Sequence, residues 1–158
     1  RGCSVTAIDR DAAAVTPLRS VANIVVADLE ASAWPLPGKT FDVVLVTNYL
    51  WRPLVPILIA SLAPRGVLIY ETFALGQQTV GRPANPAFLL GTGELLSACA
   101  GLRIVAFEDG FVADPERFVQ RIVAVREVLA PAAPPRYALA ARAASATPLK
   151  CADHEESA

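Results

Sequence analysis

The stretch Phe41-Asp42-Val43-Val44-Leu45-Val46-Thr47-Asn48-Tyr49-Leu50-Trp51-Arg52-Pro53 decides how the rest of the chain is read. Its apolar run is short, rich in β-branched residues and free of alternation, the pattern of a strand buried on both faces in the middle of a parallel sheet. The run stops at Thr47-Asn48-Tyr49. In open α/β sheets, ligands sit just beyond the carboxyl ends of such strands, so Asn48 and Tyr49 are the first candidates for chemistry.

Working outward, Cys3 to Ile8 reads as a strand that closes on Asp9-Arg10-Asp11, and Ala12 to Leu18 as an Ala-rich helix with Pro17 near its end. Ile24 to Ala27 is a second strand, closing on Asp28. Strand, helix and strand in this order make a βαβ unit, which puts both acids on the sheet edge where Asn48 also lies. Glu30 to Lys39 is a loop punctuated by Pro and Gly, with Trp34 inside it.

On the other side, Pro53 suits the first position of a helix, and Leu54, Ile57, Leu58 and Leu62 recur at helical spacing. Pro64-Arg65-Gly66 stops that helix, and Val67 to Tyr70 is the next strand, again ending in an acid, Glu71. Ala74 to Leu90 is a long loop of the kind that serves as lid or binding loop or stays disordered. Gly93 to Ala100 is a short helix, after which Leu102 to Glu108 and Arg117 to Val128 form an antiparallel pair.

Composition narrows the function classes. The 158 residues suffice for one domain, read here as 1–128, and the segment 129–158, rich in Ala and Pro, reads as a mobile tail. A net charge of -1 supplies no basic field for a polyanion, which sets nucleic acid aside as the main partner in favour of a small-molecule substrate. No apolar run is long enough to span a bilayer, and no secretory signal is seen. Cys3, Cys99 and Cys151 are widely spaced and form no CxxC pair, as expected of reduced thiols in a cytoplasm, with Cys3 and Cys99 as core fillers. His154 is the sole histidine and falls in the tail, so neither a histidine-dependent triad nor a His-based metal site is expected. The chain starts at Arg1 and contains no Met, and a segment upstream is expected.

The order of these motifs carries a family resemblance. Val5-Thr6-Ala7-Ile8-Asp9, Val25-Val26-Ala27-Asp28-Leu29, Phe41-Asp42-Val43-Val44 and Leu62-Ala63-Pro64-Arg65-Gly66-Val67-Leu68 together resemble a class I S-adenosylmethionine-dependent methyltransferase. Tyr70-Glu71-Thr72-Phe73 and Gly81-Arg82-Pro83-Ala84-Asn85-Pro86 resemble a bacterial subgroup near the tellurite and thiopurine methyltransferases. The resemblance implies a Rossmann-like α/β fold: a doubly wound, mostly parallel sheet in a three-layer sandwich, with a C-terminal antiparallel hairpin. It also implies that the family's first strand and glycine-rich turn are missing from this chain and belong upstream of Arg1.

The same resemblance implies a site. Asp9, with Arg10 beside it, would accept hydrogen bonds from the two ribose hydroxyls of S-adenosyl-L-methionine, for which the two oxygens of a carboxylate are suited. Without a cofactor Asp9 is a turn acid or a helix N-cap. Asp28 would accept from the adenine amino group while Leu29 lends its N–H to a ring nitrogen; otherwise Asp28 is a loop acid. Asn48 and Tyr49 stand where the methyl group would pass, and Tyr49 is alternatively a core aromatic. Trp51 and Arg52 shape an acceptor pocket or simply pack, and Glu71 with Arg82 would close the site as an ion pair unless Arg82 meets an anionic substrate. Two other readings are an NAD(P)-binding oxidoreductase, against which no Tyr-x-x-x-Lys or usable His occurs, and a non-catalytic methyltransferase-like binding subunit.

Overall fold

The computed structural model describes residues 2–128 and Arg136. The tail, with Cys151 and His154, lies outside these residues, apart from Arg136. The chain opens with β1 (Thr6–Asp9), α1 (Ala12–Val15) and β2 (Asn23–Val26). The first helix is short because Pro17 converts its continuation into a 3-10 turn over Thr16–Ser20. Its N-cap is Asp11, whose side chain accepts from the N–H groups of Ala13 and Ala14. β1 and β2 pair in parallel, with Asp9 opposite Val26.

The second half contains β3 (Phe41–Thr47), α2 (Val55–Ala60), β4 (Leu62–Phe73), α3 (Glu94–Ala98), β5 (Arg103–Ala113) and β6 (Glu116–Val125). These four strands form one sheet in the order β3-β4-β6-β5. β3 and β4 are parallel, joined by the crossover that contains α2, and β5 and β6 form the expected antiparallel hairpin. The chain is thus mixed α/β with parallel and antiparallel pairs.

Three expectations are corrected. The parallel strands do not form one continuous sheet: β1-β2 and the sheet of β3 to β6 are separate ladders among the described residues, so β3 is an edge strand. β3 is not buried on both faces either. Val44 and Val46 pack on the core, but Val43 and Leu45 remain 54% and 64% exposed, because no described element covers that side. Finally, β4 starts at Leu62 rather than after the Pro64-Arg65-Gly66 turn. Arg65 takes a left-handed conformation there (φ 67°) and donates its N–H to the Arg126 carbonyl, so the turn is a bulge inside the strand.

The core lies on one side of the four-stranded sheet. Leu68 and Tyr70 of β4 and Ile122 and Ala124 of β6 are fully buried against Val55 of α2 and Leu95 of α3. Burying a Leu or Ile side chain contributes on the order of 2 kcal/mol. Cys99 is also core, its thiol pushed up to about 11 by burial, whereas Cys3 is exposed.

The 74–90 segment is a tethered loop. Its ends are joined by the Leu75 N–H donating to the Leu90 carbonyl and the Leu90 N–H donating to Phe73. Gln77, only 4% exposed, accepts from the Phe118 N–H and donates to the Arg82 carbonyl. Gln120, fully buried, donates to the Gly91 carbonyl and accepts from the Leu95 N–H, fixing the start of α3. From the opposite side Arg52 donates to both carboxylate oxygens of Glu94, at 2.7 and 2.9 Å, and to the carbonyls of Ala87 and Leu89.

Two outcomes follow from this packing. A methyl group on Gly66 would sit 2.8–2.9 Å from the backbone atoms Ala63 O, Ala63 N and Phe41 O, none of which can rotate away. Gly66→Ala is expected to lower stability by ~2 kcal/mol, read as a lower urea midpoint; an unchanged midpoint contradicts the packing described. Glu94 is held below the usual carboxylate range, chiefly by the hydrogen bonds from Arg52. The unfolded chain therefore binds this proton more tightly, so the carboxylate's stabilisation is complete above the unfolded pKa and fades as pH falls through the folded one. Between about pH 6 and about pH 3 the thermal midpoint should drop further for the parent chain than for Glu94→Gln.

Candidate functional site

The parallel pairings bring the strand ends to one rim. The Ala27 N–H donates to the Asp9 carbonyl at the end of the β1-β2 ladder, and the Asn48 N–H donates to the Glu71 carbonyl just beyond β3. The two ladders finish on a common region, since the charges of Asp28, Glu30 and Arg10 all act on Tyr49. A cleft of about 210 Å³ opens there. It is lined by Glu30, Asn48, Tyr49 and Leu50 from the strand ends and by Thr72, Phe73, Pro83 and Phe88 from the end of β4 and the loop after it.

Asn48 leaves the strand in the left-handed region, with φ 53°. Asn tolerates this conformation better than most residues, and a non-glycine residue held there at a strand end is a frequent mark of a functional site. The conformation turns the chain sharply, so that Tyr49 follows it into the cleft wall while Leu50 drops into the core. The Tyr70 hydroxyl, buried beneath, donates to the Tyr49 carbonyl at 2.9 Å and holds that turn.

The Tyr49 hydroxyl is the most informative atom of the site. It is buried and has no hydrogen-bond partner among the described residues. Leaving a buried hydroxyl unpaired costs about 1–3 kcal/mol, a deficit that a bound molecule would relieve. Burial, and then the charges of Glu30 and Asp28, push its pKa up to about 12. The group is a phenol at neutral pH and can donate a hydrogen bond as well as accept one.

The carboxylates are half-used. Asp9 Oδ1 accepts from the Asp11 N–H at 2.8 Å, and Asp28 Oδ1 accepts from the Glu30 N–H at 2.9 Å. In each case a single oxygen fixes the turn after the strand, while the other accepts no hydrogen bond from the described residues. Arg10 is exposed beside Asp9, and Leu29 follows Asp28, half-buried.

The remaining expected residues are placed differently. Arg52 is occupied by Glu94 and two loop carbonyls, so it clamps the loop. Trp51 is half-buried at the start of the 3-10 turn over Arg52–Leu54. Glu71 does not pair with Arg82. Its neighbours Tyr70 and Thr72 face the core, so alternation along β4 sends Glu71 to the opposite face of the sheet. There it binds Arg117 at 3.0 Å and Arg121, which bridges on to Glu108. Arg82 is exposed on the loop next to Pro83, without an ion pair among the described residues.

Glu30, Leu50, Thr72, Phe73, Pro83 and Phe88 line the cleft although none of them is among the site residues expected from the sequence. Glu30 is legible in retrospect as another acid just beyond a strand end. Thr72 and Phe73 follow from β4 running past its acid. Pro83 and Phe88 reach the cleft only because the loop is tied back, which no local pattern announces.

No family model and no curated protein sequence matches the chain. Solved structures do. TehB from Haemophilus influenzae superposes with a TM-score of 0.63 at 13% identity, over 80% of this chain and 51% of that one. A SAM-dependent methyltransferase from Methanosarcina mazei gives 0.59 at 15% identity, over 79% and 82%. N-methyltransferase NodS from Bradyrhizobium japonicum, in complex with S-adenosyl-L-homocysteine, gives 0.53 at 16%, over 77% and 66%. The chain spans about half the length of the TehB chain. At these identities the likeness is one of fold alone: the described residues share a mixed α/β fold with these structures.

Proposed function

We propose that the chain is the catalytic part of an S-adenosylmethionine-dependent methyltransferase acting on a small molecule, of a kind resembling the tellurite and thiopurine group. The observation that carries this reading is the cleft at the common strand ends, where an unpartnered Tyr49 hydroxyl sits among strand-end acids. Asp9 and Asp28 each keep a second oxygen for a ligand, as a ribose diol and an exocyclic amine require. The group fits the donor set in this respect.

S-adenosylmethionine, when bound, supplies an electrophilic methyl group on a sulfonium, which transfers by in-line displacement. The chain's own contribution is alignment and exclusion of water. Asp9, with Arg10 beside it, and Asp28 with Leu29 hold the cofactor's nucleoside. Asn48, fixed by its strained backbone, offers its side-chain carbonyl to the acceptor's proton. Tyr49, kept neutral by burial, orients the acceptor with its hydroxyl. Phe73, Pro83 and Phe88 give the cleft an apolar wall that keeps water out. This reading includes a further parallel strand with a glycine-rich turn, which would pair with the open edge of β3.

Calorimetric titration with S-adenosylhomocysteine and, separately, NADH tests it. Micromolar binding of the first alone is expected; binding of NADH alone would make the protein a dinucleotide oxidoreductase, and binding of neither a non-catalytic subunit. Asp9→Ala should weaken S-adenosylhomocysteine severalfold, and an unchanged affinity removes Asp9 from the site. Tyr49→Phe should lower turnover of an acceptor, once one is found, while leaving the fold's thermal midpoint within a few degrees.

A further inference from the structure

We propose that the acceptor is an amphiphilic organic anion, an apolar or aromatic body ending in a carboxylate or a similar oxyanion, whose charged end is read by Arg82. The proposal rests on the methyltransferase reading for the reaction but not for the recognition. Beside this cleft, taken as the inner end, lies an open outer cavity of about 600 Å³ lined by Arg82, Pro83, Ala84, Asn85 and Phe88. Pro83 and Phe88 line both spaces, so one elongated molecule can lie along them from Tyr49 to the loop.

The two ends differ in charge. Glu30 lines the inner end, and Asp28, Glu30 and Arg10 act on Tyr49 there, leaving that end with a negative balance. Arg82 is the charged residue of the outer cavity. A molecule with an anionic tail is therefore repelled from the inner end and drawn to the outer, which fixes its direction in the cleft. Leu50, Phe73, Pro83 and Phe88 give its body an apolar wall.

Arg82 is set up for this. Its backbone carbonyl accepts from Gln77 Nε2 at 3.1 Å, and Gln77 is itself tied to the Phe118 N–H of β6 at 2.9 Å. The side chain, in contrast, has no hydrogen bond or ion pair among the described residues. Arg52 is spent on Glu94, and Arg117 and Arg121 on Glu71, while Arg10 stands at the other end, beside Asp9. A fork of five donors, pinned at its base and unpaired at its tip beside an apolar wall, suits bidentate recognition of a planar anion.

The test compares 3-phenylpropionate with 3-phenylpropanamide, nearly equal in shape and differing in charge, titrated against the full chain by ligand-observed NMR. The acid should bind about fivefold more tightly than the amide, with the preference shrinking at high salt. Arg82→Gln should equalise the two and Arg82→Lys should keep part of the difference, while Phe88→Ala should weaken both alike. S-adenosylhomocysteine affinity should be unchanged in Arg82→Gln. Equal binding of acid and amide by the parent chain, failure of both to bind, or a preference that survives Arg82→Gln overturns the proposal. If S-adenosylhomocysteine fails to bind while the acid preference holds and depends on Arg82, the anion site stands and the methyltransferase reading falls.

Discussion

Parallel pairing of β3 with β4 is the constraint on which the site depends. Two parallel neighbours cannot be joined by a tight turn, so the chain spends the residues between Thr47 and Leu62 on returning to the other end of the sheet. Whatever follows each strand then lies on the same rim. The Asn48 N–H to Glu71 carbonyl bond and the Tyr70 hydroxyl to Tyr49 carbonyl bond fasten the departing chain at that rim. They hold Asn48 in the left-handed region and keep Tyr49 at the cleft rather than in the core.

The loop from 74 to 90 obeys a different rule. It buries Ala74, Leu89 and Leu90, and it is held in place by polar side chains: the buried Gln77 and Gln120, and the partly exposed clamp of Arg52 on Glu94. Buried amides demand partners, so their geometry is specific in a way that apolar packing is not. The loop carries Pro83 and Phe88 to the cleft because its carbonyls are needed to satisfy these side chains. Structure and chemistry meet at the same hydrogen bonds.

This division explains how much could be read in advance. The strands, their acids, the crossover helix and the final hairpin follow from short-range patterns, and each was legible from apolar runs bounded by Asp, Asn, Pro or Gly. Asn48 was legible too, as a polar residue closing an apolar strand. Arg52, Gln77 and Glu71 were not, because their partners lie 42, 41 and 46 to 50 residues away. An isolated Arg or Gln in a sequence says nothing about which carbonyl it will meet. The face chosen by Glu71 depended on where β4 begins, and the bulge at Arg65 conceals that beginning behind a Pro-Arg-Gly triplet that reads as a stop.

The bare side of β3 has a practical meaning. Leu45 on the edge strand β3 and its ladder partner Ile69 on β4 are both left accessible, and the outer backbone groups of β3 have no described partner. Oily surface and an unfinished hydrogen-bonding row in one place form a template on which a second extended segment can grow.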